Sequence, residues 1–291
     1  MIYRVRHVTT YDYEDLVSVS HHILRLTPHD SPQQRCLQGN ISIRPTPASH
    51  NRHLDYFGNI STCFTLLEPH ERMVIESTSE LEVTALERPD FATSPPWETV
   101  RDKLPADRTV EGLTAYQFVF DSTRIEASAE LGDYARESFP PGRPLLNGML
   151  DLTGRINRDF RFDTKATEVS TPVETFFEKR RGVCQDFSHL QIACMRSLGL
   201  PARYVSGYLR TEPPPGKSRL VGADASHAWC SAYSPGAGWV DFDPTNNCVP
   251  SDGHITVAWG RDYSDVSPIH GVLMGGARHT LDTGVDVMPI G

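Results

Sequence analysis

Alternating apolar and polar positions dominate the first third of the chain. Ile2–Val8, Gln38–Arg44, Thr62–Leu67 and Arg72–Val83 follow this pattern, and clusters of Pro, Gly, Asn and Asp separate them. A period of two marks half-buried strands, so residues 1–85 are predicted to form an antiparallel β domain. Between two of these runs lies Asp55-Tyr56-Phe57-Gly58-Asn59. A plain hairpin turn is expected there, with Gly58 and Asn59 supplying positive φ. Arg88-Pro89 through Pro95-Pro96-Trp97 then interrupts the pattern, and helical spacing follows around 128–139 and 144–159. Residues 86–160 are therefore expected to be mostly helical, and 161–291 to hold a second core with the C-terminal strands.

In that second core, Thr171-Pro172-Val173-Glu174 has the pattern of a helix start, with Thr171 as N-cap and Pro172 at the first helical position. Gly182 ends this short helix, and a new one begins at or just before Cys184. Phe187, Leu190, Cys194 and Leu198 fall on one stripe of it, widened by Ile192 and Met195, and Gly199 and Pro201 stop it. Ala202–Arg210 reads as a strand and Pro213–Gly216 as a loop. Ser226–Tyr233 and Trp239–Asp243 read as a hairpin about Pro235.

Cys184 at a helix start, two residues after a glycine, faces the positive end of the helix dipole and unpaired backbone N–H groups. Both favour thiolate, the reactive form of the side chain, and Gly182 is expected to leave room for a substrate. On these grounds alone an inert buried thiol remains the default. A nucleophilic thiol needs a base, and the base needs an acceptor to orient it. Folding the hairpin so that Tyr233 faces Ala237 sets His227 opposite Asp243, at the roughly 5 Å typical of cross-strand pairs. Asp241 shares that face but opposes Trp229.

These residues carry a family resemblance. Gly182-Val183-Cys184-Gln185-Asp186-Phe187, Pro201-Ala202-Arg203-Tyr204-Val205-Ser206-Gly207-Tyr208, His227-Ala228-Trp229 and Gly238-Trp239-Val240-Asp241-Phe242-Asp243-Pro244-Thr245-Asn246 occur in that order. Together they resemble the core of the transglutaminase-like superfamily. More narrowly, the chain is similar to bacterial transglutaminase-like proteins with their own N-terminal β domain. The resemblance implies an α+β fold with a papain-like core, its cysteine helix packed on an antiparallel sheet. It maps a Cys-His-Asp triad onto Cys184, His227 and Asp243. The implied chemistry is acyl transfer through a thioester, with the Cys184 N–H in the oxyanion hole. Peptide or amide hydrolysis, as in a cysteine peptidase, is expected ahead of glutamine transamidation because water suffices as second substrate. A non-catalytic binding or scaffolding protein on the same fold is the alternative from another class. No cofactor is expected and no metal, since no calcium loop of EF-hand type is present. A metal site built from the same Cys, His and Asp is a third idea, weakened by the lack of a clear fourth ligand.

Composition narrows the partners. The chain has 291 residues and a net charge of −9, which argues against nucleic acid and anionic membranes; a peptide or protein substrate is what the resemblance implies. Six scattered cysteines without a C-x-x-C pair, together with an N-terminus unlike a signal peptide, point to the cytoplasm. Other candidates receive plainer roles. Cys194, Cys230 and Cys248 are expected to pack, His189 to lie at the surface or in a local hydrogen bond, and His21-His22 to sit on a solvated strand. Asp186 is expected to favour the helix start, Arg180-Arg181 to cap the preceding helix, and Arg203 and Tyr204 to lie near the substrate groove.

Overall fold

The strand that begins at Ile2 runs on past the predicted segment to Leu24, although its alternation of buried and open positions is broken midway. In a computed structural model of the chain, which describes residues 1–85, 87–211 and 225–291, strand β1 spans Ile2–Leu24. It is followed by β2 (Gln34–Arg44), β3 (Ser49–Leu54), β4 (Ile60–Leu66) and β5 (His70–Val83). Helices α1 (Trp97–Lys103), α2 (Val110–Tyr116), α3 (Ala129–Arg136) and α4 (Leu145–Asp159) come next. Then follow β6 (Arg161–Phe162), α5 (Val173–Lys179), β7 (Arg181–Gly182), α6 (Cys184–Ser197), β8 (Ala202–Leu209), β9 (Ala225–Ser234) and β10 (Gly238–Phe242). The chain closes with β11 (His254–Gly260), α7 (Tyr263–Val266), β12 (Ile269–Gly275) and β13 (His279–Pro289). The Pro213–Gly216 loop expected from sequence lies outside the described residues.

β1 is the spine of a seven-stranded sheet. Its first half pairs with β5 and β13, and its second half with β4 and β12, with an irregularity in the β5 register between Asp12 and Val17. The two C-terminal strands thus return to the N-terminal sheet. β3 escapes the alternation pattern because all six of its residues are exposed, so neither face needs apolar side chains. A second, antiparallel sheet has the order β10-β9-β8-β11. α6 packs on β8 and β9 and touches α3, α4 and α5. The architecture is the α+β arrangement implied by the resemblance.

α6 is more deeply placed than one apolar stripe requires. Every residue from Gln185 to Arg196 is buried, because the sheet covers one side of the helix and three helices cover the others. Its polar groups are consequently paired inside the core. The Arg196 guanidinium donates to the carbonyls of Phe118 (3.0 Å), Ala202 (3.2 Å) and Arg261 (2.6 Å) and to Ser122 Oγ (3.0 Å). A buried cation is tolerable only with such donors satisfied.

Two side-chain amides join the sheets. Gln34 donates to Thr256 O and accepts from Thr256 N–H, while Asn59 does the same with Trp259. Both targets lie on β11, an edge strand whose outward backbone groups would otherwise be open to another chain. The Asp55–Asn59 segment is therefore more than a plain turn. Gly58 takes the left-handed conformation at φ 83°, but Asn59 does not; it is fully buried and works as a clamp.

Candidate active site

Local chemistry puts Cys184 at the first position of α6. Val183 is extended and precedes it, and the Asp186 carboxylate accepts the Val183 N–H at 2.8 Å, closing the open helix end from within. Thr167 Oγ1 donates to the same oxygen at 2.6 Å. Burial raises the Asp186 pKa in spite of these bonds. Gly182 has a different task from the one expected. A Cβ there would lie 2.4 Å from Asp186 Oδ2 and 2.8 Å from Phe176, so the glycine makes room for the capping carboxylate and not for a substrate. The preceding helix also starts one residue late: Pro172 is its N-cap, and the Thr171 hydroxyl instead accepts from Glu168 N–H. Arg180 ends that helix in the left-handed conformation, its guanidinium over the Phe160 and Phe177 rings.

The hairpin brings His227 and Asp243 together, though in a shifted register. Tyr233 pairs with Trp239, not Ala237, and Ser234 with Gly238, because the loop is Pro235–Ala237. The shift moves each cross-strand partner by two residues. Side-chain alternation is therefore unchanged, and the expected couples meet on the diagonal. His227 Nε2 lies 2.7 Å from Asp243 Oδ2, and Trp229 Nε1 donates to Asp241 Oδ2 at 2.9 Å. With Nε2 engaged, Nδ1 of His227 is left for Cys184, whose thiol is within hydrogen-bonding reach of the ring.

Asp243 is fully buried and surrounded by donors. Oδ1 accepts the backbone N–H groups of Thr245 (3.0 Å) and Asn246 (3.1 Å). Oδ2 accepts from His227, from Asn246 Nδ2 at 2.7 Å and from His254 Nε2 at 3.1 Å. Burial opposes ionisation of Asp243, but the bonds from His227, His254 and Asn246 outweigh it and hold the carboxyl well below the usual carboxylate range. Burial likewise lowers the His227 pKa, yet bonding to Asp243 and Cys184 and their charges raise it to about 10.

These shifts set a pH window. His227 gains a proton-stabilised partner on folding, so its contribution is complete below its unfolded value of about 6.5 and is lost as pH rises toward 10. Asp243 contributes above about pH 4 and loses that contribution as pH falls through its lower folded value. The urea midpoint of the wild type is expected to fall between pH 7 and 10 more steeply than that of His227→Gln. Parallel curves would show that the imidazolium does not stabilise the fold.

His254 and Asn246 are the polar partners that pattern reading did not single out. Asn246 stood within a quoted motif, but without the bend after β10 nothing aimed its amide at the carboxylate. His254 comes from β11, on the far side of β8. Among the described residues, His227, Asp243 and His254 could also hold a metal, since their ligand atoms lie within 4.8 Å of one another. His189 is buried, not at the surface. Its Nε2 accepts the Tyr263 N–H at 3.2 Å, its ring lies beside Tyr204, and burial lowers its pKa to about 3. His21 is exposed, but His22 is buried and stacked on Phe64, so only the first belongs to a solvated surface. Cys194 and Cys230 are buried packing residues, while Cys248 is half-buried. Tyr204 lines the cleft beside Cys184, whereas Arg203 sits elsewhere, between the Trp239 and Trp259 rings.

Cys184 and His227 open onto a cleft of about 340 Å³. Its opposite wall comes from the other sheet: His7, Thr9 and Tyr11 of β1 and Leu281 and Thr283 of β13. A thiol at a helix N-terminus, next to an imidazole oriented by a buried carboxylate, is an arrangement suited to nucleophilic chemistry at a carbonyl.

Both halves of the fold have counterparts in known proteins. Residues 3–82 match the bacterial transglutaminase-like N-terminal region and residues 134–244 the transglutaminase-like superfamily, and the chain belongs to that superfamily. It is 41% identical to the uncharacterized protein Rv2569c of Mycobacterium tuberculosis, over 99% of this chain and 92% of that one. A Pseudomonas aeruginosa protein-glutamine gamma-glutamyltransferase is 31% identical over 121 residues, 41% of this chain and 18% of its own. Among solved structures, a protein from Cytophaga hutchinsonii described as a candidate cysteine protease superimposes with a TM-score of 0.77. That match covers 100% of this chain and 92% of the other at 21% identity, a likeness of fold. No helix among the described residues is long and apolar enough to cross a membrane.

Proposed function

We propose that this protein is a thiol-dependent acyl-transfer enzyme that hydrolyses a peptide or amide bond. The observation that carries this reading is the convergence, in one cleft, of a helix-start thiol with an imidazole held by a buried carboxylate. Cys184, its proton already held on His227 Nδ1, attacks the substrate carbonyl as the thiolate. The oxyanion that forms is held by the Cys184 N–H, which has no acceptor within α6. His227 returns the proton to the leaving amine, and a thioester remains. Water, deprotonated by His227, then releases the acid and regenerates the thiol. Asp243 keeps Nε2 protonated and stabilises the imidazolium. The name of the Pseudomonas relative supports acyl transfer, with an amine in place of water as the alternative acceptor. Hydrolysis remains the simpler expectation, and the substrate would be a peptide or protein. All six cysteines are free, which fits a reducing compartment such as the cytoplasm.

Alkylation tests this reading without a known substrate. Iodoacetamide at pH 6.5 is expected to label Cys184 at least about 10-fold faster in the wild type than in His227→Ala, because the thiolate loses its partner. Equal rates, or labelling no faster than at Cys36 and Cys63, would sink the reading. A second reading, a divalent metal held by His227, Asp243 and His254, is favoured by their convergence. It predicts that hydrolysis stops in EDTA and returns with added metal, whereas the thiol mechanism predicts undiminished turnover.

A further inference from the structure

The cleft at Cys184 is built by two sheets, and the half outside the catalytic core has its own chemical character. Tyr11 pairs with Leu281 and Thr9 with Thr283, so two rows of one sheet face project toward the thiol. The one imidazole of this wall has both ring nitrogens engaged. His7 Nδ1 is 2.9 Å from Tyr208 Oη, and its Nε2 is 2.9 Å from Thr9 Oγ1. Burial lowers the His7 pKa to about 4, so the ring is neutral at physiological pH. Beside the exposed Thr283 the wall leaves a large apolar side chain open, Leu281, which is 57% exposed, and Val169, also lining the cleft, is 53% exposed. Tyr263 and Ile269 continue the same surface. Among the described residues lining the cleft there is no Asp, Glu, Lys or Arg. Large apolar side chains left uncovered beside a nucleophile are suited to burial by a ligand.

We infer that the substrate residue supplying the carbonyl to Cys184 is uncharged and aromatic or branched aliphatic, and that Tyr11 and Leu281 select it. This rests on the acyl-transfer reading of Cys184 and His227, and it assigns the N-terminal sheet the task of substrate selection. A charged side chain in that position would lose hydration against Leu281 and Tyr11, and the cation among the described lining residues, His227, is already paired with Asp243.

Peptidyl chloromethyl ketones provide the test, because Sγ displaces chloride to form a thioether only where the peptide seats beside it. The full-length protein is treated with Ala-Phe and Ala-Asp chloromethyl ketones, and each rate is divided by the same protein's iodoacetamide rate. The Phe reagent is expected to react at least about 10-fold faster. In Leu281→Lys the Phe:Asp ratio should fall about 10-fold as the Asp reagent gains a counter-charge. Tyr11→Ala should lower the ratio by reducing the Phe rate. Equal reaction of the two reagents in the wild type, while iodoacetamide still depends on His227, would overturn the inference and leave the acyl-transfer reading standing. A Phe preference unaltered in both variants would also overturn it. Loss of His227-dependent iodoacetamide labelling would overturn both.

Discussion

Cys184→Ala is expected to reduce hydrolysis of any cleaved peptide or amide by at least about 10⁴-fold, to the residual level that binding and the oxyanion hole alone sustain. Stability should change little. The side chain is half-buried at the first turn of α6, and the capping of that turn rests on Asp186, not on the thiol. Removing it opens only a small gap at the cleft edge, and Ala is favourable inside a helix. The check is turnover of a fluorogenic peptide library together with a thermal melt. Retained turnover with an unchanged melt would exclude the nucleophile role. Cys184→Ser makes the same point with less change in shape, since a hydroxyl is far less acidic than a thiol.

Asp243→Ala should damage both activity and fold, and Asp243→Asn should separate the two effects. The alanine leaves two backbone N–H groups, two imidazoles and one amide without their shared acceptor in a fully buried place. At about 1–3 kcal/mol for each orphaned buried group, and with partial relaxation, a loss of roughly 3 kcal/mol or more is expected. Asparagine keeps the volume, and its carbonyl can still accept the Thr245 and Asn246 N–H groups. Its NH₂ would then confront the Nε2–H groups of His227 and His254, so one imidazole must change tautomer. Turnover should fall by about 10³- to 10⁴-fold while most of the stability remains. Urea denaturation beside turnover reads out both effects. Equal destabilisation by the two variants would mean that size, not hydrogen bonding, is what Asp243 supplies.

The contrast between the two residues explains what pattern reading could reach. Cys184 was legible because its signals are local: a helix start, a nearby glycine and an ordered set of motifs. The pairing of His227 with Asp243 was legible although the turn was misplaced, because a register change of two residues preserves which face each side chain occupies. His254 was not legible. It approaches Asp243 from β11, with the whole of β8 between β11 and β9, and no spacing along the chain reports that approach. The burial of His189 and His22 was missed for a related reason. His189 lies on a helix covered from more than one side, where periodicity records only one covered face, and His22 takes the covered face of β1 beside the exposed His21, a place its polarity does not announce. Gly182 was misread because its neighbours, Asp186 and Phe176, come back to it only after the helix has formed.

By itself, then, the sequence determined the strand-rich first third, the α+β class, the position of Cys184 at a helix start, and the face shared by His227 and Asp243. Each of these follows from interactions within a few residues or across one hairpin. Tertiary structure decided the rest. It returned β12 and β13 to the first sheet, turned Asn59 and Gln34 into clamps on β11, and gathered five donors around one carboxylate. It also set Tyr11 and Leu281 opposite the thiol. Those contacts join residues as far apart in the chain as Tyr3 and Pro289, where only the assembly of the sheets determines which side chains meet.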